Sequence, residues 1–121
     1  MASLSPTQRT LKYVRSQGWE ADIVERFNPH AGKFGHRKDL FGVIDIVALT
    51  EKGIMGIQSC GQSFAEHDRK ILESELALGW VDAGGNLMLM GWRKTKLKRG
   101  GKAMRWTPRI KEYVREDFVD A

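Results

Sequence analysis

One carboxylate in this chain stands where a carboxylate is costly. Asp45 lies within Val43-Ile-Asp-Ile-Val-Ala-Leu49, a run whose other members are all apolar. Burying a charged acid among such neighbours is unfavourable unless it is paired or coordinates a cation. A second apolar run, Ile54 to Ile57, follows Glu51-Lys52-Gly53 and continues into Gln58-Ser59-Cys60. If the chain reverses near residues 51 and 52, Asp45 falls opposite Gln58. The period of two along a strand then turns Asp45, Gln58 and Cys60 toward one face. An acid and an amide oxygen on one face can share a hard divalent cation, which prefers oxygen ligands. Asp39 precedes them as a further candidate ligand. Each residue also has a plainer reading: Asp45 as a strand-end acid paired with Arg or Lys, Gln58 as a cross-sheet amide, Cys60 as a small buried hydrophobe, Asp39 as a turn cap.

The positive charge is concentrated rather than spread. The chain carries a net charge of +5, and from Arg93 to Lys111 there are nine cations and no acid: Arg93, Lys94, Lys96, Lys98, Arg99, Lys102, Arg105, Arg109 and Lys111. Lys33, His36, Arg37 and Lys38 form a second basic group just before Asp39, whereas six acids fall between Asp45 and Glu75. A basic end beside central carboxylates suits a polyanion held next to a cation site, with Lys33, Arg37, Lys38, Arg93, Lys94, Lys96, Lys98, Arg99, Lys102 and Arg105 as the candidate nucleic-acid contacts. Trp92 and Trp106 flank the basic segment and can stack on bases or pack in the core.

Several classes are disfavoured by composition. At 121 residues the chain is expected to be a single domain, 1–121. No apolar run approaches the length of a membrane span, and the N-terminus lacks a basic region followed by an apolar one. A single cysteine leaves no partner for an internal disulfide and fits a reducing, cytoplasmic setting. Three histidines and one cysteine, widely spaced, argue against structural zinc.

The elements that must position these residues follow from caps and periodicity. Ser5-Pro6-Thr7-Gln8 opens a helix with Leu11 and Val14 on its apolar stripe, and Gly18 ends it. Trp19 to Phe27 alternates as one strand, and Asn28 to Lys38 is a polar loop. After the hairpin, Gly61-Gln62-Ser63 breaks the second strand. A helix from about Ala65 to Val81 follows, capped by Ser63 and Glu66, buried through Ile71, Leu72, Leu76 and Leu78, and interrupted near Leu78-Gly79. Ala83-Gly84-Gly85 ends it. Asn86 to Trp92 reads as an interior strand, without alternation. Thr95 to Lys102 is a basic loop, Ala103 to Pro108 an edge strand or strand end, and Ile110 to Phe118 a closing helix. The class is α/β, a central mixed sheet flanked by helices, with a C-terminal basic hairpin and helix.

Gly42-x-x-Asp45-Ile-Val followed by Ile57-Gln58-Ser59-Cys60, in the order αβββαβ, resembles the core of the PD-(D/E)xK nuclease superfamily. Within it the chain is similar to archaeal-type Holliday-junction resolvases and VRR-type nucleases, including small phage-encoded relatives. Asn28-Pro29-His30, Asp39-Leu-Phe-Gly42 and Gly91-Trp92-Arg93-Lys94 resemble features of the phage-encoded group, and the likeness spans residues 5 to 92. It implies a restriction-endonuclease-like core, a homodimer in the host cytoplasm, and Mg²⁺- or Mn²⁺-dependent cleavage of branched or structured DNA. Asp45 matches the first metal-binding carboxylate and Gln58 stands at the second. Cys60 stands where the family has a lysine, and a thiol offers no cation to a phosphate. Lys70 is the candidate catalytic substitute, with His67, Lys38 and Arg37 as further cations and Asp39 and Glu25 as further acids. Gln8 is the nearest counterpart of a helix-one glutamate. The competing expectation is a DNA-binding protein that keeps the nuclease fold without its chemistry. A module whose basic face meets an acidic protein is a third, which no motif favours.

Overall fold

A computed structural model of the chain describes residues 4–30, 32–33 and 36–118. The first helix, α1 (Pro6–Ser16), forms as its cap residues dictate: the Ser5 hydroxyl accepts from the Gln8 backbone N–H at 3.2 Å, Pro6 occupies the first turn, and Gly18 leaves the helix at φ 88°. The chain then runs through β1 (Glu20–Ile23), β2 (Arg26–Asn28), β3 (His36–Lys38), β4 (Ile46–Thr50) and β5 (Gly53–Cys60). Helices α2 (Phe64–Leu72) and α3 (Glu75–Asp82) carry it over to β6 (Asn86–Lys96), which turns back as β7 (Met104–Tyr113) before a short 3₁₀ turn at Arg115–Phe118.

Five strands make one mixed sheet in the order β1-β4-β5-β6-β7, and β2 pairs with β3 in a separate ribbon. Only β5 and β6 are parallel, as their helical crossover requires. Both faces of the sheet are covered. Ile46, Ala48, Ile57, Met88, Met90 and Trp92 pack with Val14 of α1. Val43, Ile44, Cys60, Leu87 and Leu89 pack with Phe64, Ile71 and Ala77 of α2 and α3. Leu87 to Met90 are therefore buried on alternating faces, which explains an apolar run without alternation.

Polar contacts fix the register of these layers. Thr10 of α1 is fully buried, and its hydroxyl receives the Ser59 hydroxyl at 2.8 Å and the Trp92 indole N–H at 2.9 Å. Trp92 is thus a packing residue, set edge-on to Tyr13, while Trp106 remains 39% exposed.

Four local expectations are corrected. The strand read over Trp19 to Phe27 is two strands, because the chain leaves the sheet after Val24 and pairs residues 26–28 with 36–38, inside the stretch read as loop. Alternation reports pleating but not a change of partner. The break in the long helix falls at Glu73-Ser74, not near Gly79. Ser74 caps α3 by accepting from the Ala77 N–H at 3.1 Å, and Leu76 is left exposed while Ala77 is buried. Ser63 makes no side-chain cap and bonds the His67 ring instead. Finally, residues 110–113 continue β7 rather than opening a helix. Ile110, Tyr113 and Val114 mimic helical spacing, but the interior strand β6 needs a partner along its length. Pro108 consequently lies inside β7, tolerated because β7 is the sheet edge.

Candidate metal centre

The β4–β5 register pairs Ile46 with Ile57, so Asp45, one step earlier, faces Gln58 as the hairpin spacing predicts. The Asp45 backbone N–H continues the ladder by donating to the Ile57 carbonyl at 3.0 Å. On the other side, Val24 N–H donates to the Asp45 carbonyl at 2.9 Å, which brings Glu25 alongside. Asp39 arrives through a tight loop in which Phe41 and Gly42 both take positive φ, 55° and 76°, and Gly42 N–H donates to the Asp39 carbonyl at 3.0 Å. A non-glycine residue in that region is strained. Leu40 and Ile44 close the loop as an isolated bridge.

These elements converge three acids. Glu25, Asp39 and Asp45 each offer an oxygen, all within 4.8 Å of one another. Asp45 is almost fully buried. Its Oδ2 accepts from the Ser59 N–H at 3.0 Å and from Gln58 Nε2 at 3.2 Å, while the same Gln58 nitrogen reaches Asp39 Oδ2 at 3.4 Å. Among the described residues two buried oxygens, Asp45 Oδ1 and Gln58 Oε1, have no hydrogen-bond partner. Burial pushes the Asp45 carboxyl up to about 7, the Asp39 and Glu25 charges push the same way, and the Ser59 N–H opposes them. Glu25, Asp39 and Asp45 are therefore a group of oxygen donors that could hold a hard cation.

Gln58 turns its NH₂ to the acids, so a half-turn of the amide is needed before its oxygen could join them. Glu25, one candidate among several in the sequence, belongs to the group as fully as Asp39. Nothing in its spacing marks it, because its place depends on the pairing of Val24 with Asp45. Cys60 is buried and shares the Gln58 face. Burial pushes its thiol up to about 11, Asp45 adds to this and Arg109 opposes it, so it is a neutral packing group.

Lys70 is exposed on α2, off the Phe64 and Ile71 face that meets the sheet, and makes no ion pair among the described residues. The structure does not bring it to the acids. His67 is held by the Ser63 hydroxyl and carbonyl, and Gln8 is exposed on α1.

The basic segment is the β6–β7 hairpin. Arg93, Lys94, Lys96, Lys98, Arg99, Lys102 and Arg105 are spread along it, and all seven are exposed. Alternation sorts them: Arg93, Arg105 and Arg109 project from the face that carries Asp45, and Lys94 and Lys96 from the α1 face. There the Arg9 guanidinium lies 3.9 Å from the Trp106 ring centroid and Lys94 Nζ 5.3 Å from it. Together with Leu4, Pro6 and Trp92 they line a cleft of about 470 Å³. Lys111 instead serves the fold, bonding Asp68 at 2.9 Å. Burial alone would raise Asp68, but Lys111 and the Tyr113 hydroxyl hold it below the usual carboxylate range. Lys33 is exposed in the connection between β2 and β3, Lys38 is exposed at the end of β3, and the Arg37 side chain lies outside the described part of the structure. No helix among the described residues is long and apolar enough to cross a membrane.

No family model, curated protein or solved structure matches this chain.

Proposed function

We propose that this protein is a divalent-metal-dependent endonuclease for structured or branched DNA, built on a restriction-endonuclease-like core. The observation that carries the reading is the convergence of Glu25, Asp39 and Asp45, with buried unpartnered oxygens on Asp45 and Gln58, on the sheet face from which Arg93, Arg105 and Arg109 project. Carboxylates at a phosphodiester are repulsive by themselves, so acids and arginines on one sheet face make sense when a cation lies between acid and phosphate. Mg²⁺ or Mn²⁺ there would lower the pKa of a bound water and neutralise charge on the phosphate. Glu25, Asp39 and Asp45 would hold the ion, Gln58 would add its oxygen once its amide turns over, and the hairpin cations would grip the flanking backbone.

The order α1, then the β1-β4-β5 meander, then the α2–α3 crossover to parallel β6 also supports the reading. With the β2–β3 ribbon as an insertion and the crossover helix divided in two, it is consistent with the αβββαβ order that the resemblance implies. Cleavage of a branched junction needs two centres related by a two-fold, so the reading includes a homodimer.

A labelled four-way junction and a linear duplex, incubated with Mg²⁺ or Mn²⁺, test it. Wild type nicks the junction and Asp45→Ala does not. No nicking by wild type, or equal nicking by both, removes the nuclease reading. The neutral Cys60 thiol favours a second reading, a DNA-binding protein that has lost catalysis. It predicts salt-sensitive binding that is indifferent to metal, with no cleavage.

A further inference from the structure

Across the last three strands the register sets Cys60, Gly91 and Arg109 side by side. Cys60 and Arg109 project toward α2, and Gly91 between them has no side chain. A Cβ at Gly91 would lie 2.6 Å from Phe64 Cδ2 and 3.3 Å from Cys60 Sγ, so the empty position is where the Phe64 ring enters. That ring in turn carries the Arg109 guanidinium, 4.1 Å above its centroid. A guanidinium stacked in this way keeps its in-plane N–H fork for an acceptor at its edge. Gly61, Gln62, Phe64, Gly91, Arg93 and Arg109 line a cleft of about 220 Å³ here, beginning at the residue after Cys60. Arg109 makes no ion pair among the described residues. The strand order sets Cys60 on β5 between Asp45, which precedes β4, and Arg109 on β7, and the two bear on its sulfur with opposite sign.

We propose that Arg109 binds the phosphate presented at the metal centre, supplying from β7 the positive charge that Cys60 cannot supply from β5. The assignment rests on the nuclease reading above. In hydrolysis the water oxygen bonds to phosphorus, the ester P–O bond breaks, and a proton from the water reaches the leaving alkoxide through solvent. Negative charge grows on the phosphoryl oxygens meanwhile, and a fixed guanidinium at the edge of the cleft stabilises it. Gly91 is the enabling residue, since any side chain there would displace Phe64 and with it the stacked guanidinium.

Arg109→Met, which keeps an apolar stem over Phe64, and Arg109→Lys are compared with wild type in three measurements. These are Mn²⁺ affinity by calorimetry without DNA, salt dependence of DNA binding in EDTA, and single-turnover junction cleavage with Mn²⁺. Arg109→Met is expected to bind Mn²⁺ as wild type does. Its logarithmic salt slope should fall by about 0.9, the value for one phosphate no longer neutralised, and its cleavage rate by roughly 10²–10³-fold. Arg109→Lys recovers part of the rate. Thermal melting checks each variant, and Arg109→Gln, with the same outcomes, replaces Arg109→Met if the latter is unfolded. Cleavage at the wild-type rate by a folded, uncharged variant overturns the assignment while leaving the nuclease intact. Absence of cleavage by wild type overturns the nuclease reading itself.

Discussion

Asp45 is held in a state that either a proton or a cation relieves. Its carboxyl is raised from 3.8 to about 7, chiefly by burial. Between those values the folded protein holds a proton that the unfolded chain has released. Stability without metal should therefore fall as pH rises from about 4 to about 7, by an amount on the order of a few kcal/mol. Divalent metal competes with that proton, so Mn²⁺ should raise the melting temperature more at pH 8 than at pH 5. Asp45→Asn keeps an acceptor for the Ser59 N–H and removes the charge. It is expected to melt higher than wild type in EDTA at pH 8 and to gain nothing from Mn²⁺. A melting temperature independent of pH in both proteins would show that Asp45 is not strained. Gln58→Glu adds a fourth acid to the group, so it should melt lower than wild type in EDTA and recover with Mn²⁺.

At the scale of elements, hydroxyls decide how the helices sit on the sheet. Thr10→Val leaves the Trp92 indole N–H and the Ser59 hydroxyl without their acceptor in the core, and should cost about 1–3 kcal/mol in denaturant unfolding. Ser74→Ala removes the cap of α3 and should cost about 1 kcal/mol. Glu66→Ala, at the position read as half of a capping box, should change stability by less than about 0.5 kcal/mol, because Ser63 forms no such cap. What sequence could show here follows the range of the interactions. The Ser5 cap, the Gly53 turn and the Asp45–Gln58 pairing are local, and residue types a few positions apart specify them. The true course of residues 110–113 depends on a long-range partner, the open side of β6. Ile110, Tyr113 and Val114 fit a helix locally, and only the unpaired backbone of β6 decides against one.

The whole molecule joins a partly buried acid group to a basic hairpin, and the two halves are unequally legible. Nine cations without an acid are visible in composition, but their division between two sheet faces needs the β6–β7 register. Arg9 joins Lys94 and Trp106 from α1, a union no spacing in the sequence announces. Of the acids, Asp45 stands out because its neighbours are apolar, whereas Glu25 joins the group through one backbone bond from Val24. The division of charge has a consequence for binding. Neutralising Lys96, Lys98 and Arg99 together should reduce the logarithmic salt slope of DNA affinity by about 0.9 for each phosphate they neutralise, and leave Mn²⁺ affinity unchanged. A flat salt dependence in the wild type would mean that the hairpin does not meet phosphates.

The central claim is that three acids from separate segments form one cation site, and anomalous diffraction from crystals soaked in Mn²⁺ tests it most directly. A single strong peak is expected within ligand distance of Glu25, Asp39 and Asp45, with the Gln58 amide turned to present its oxygen. A map with no peak there, or with manganese bound only elsewhere on the surface, would contradict it.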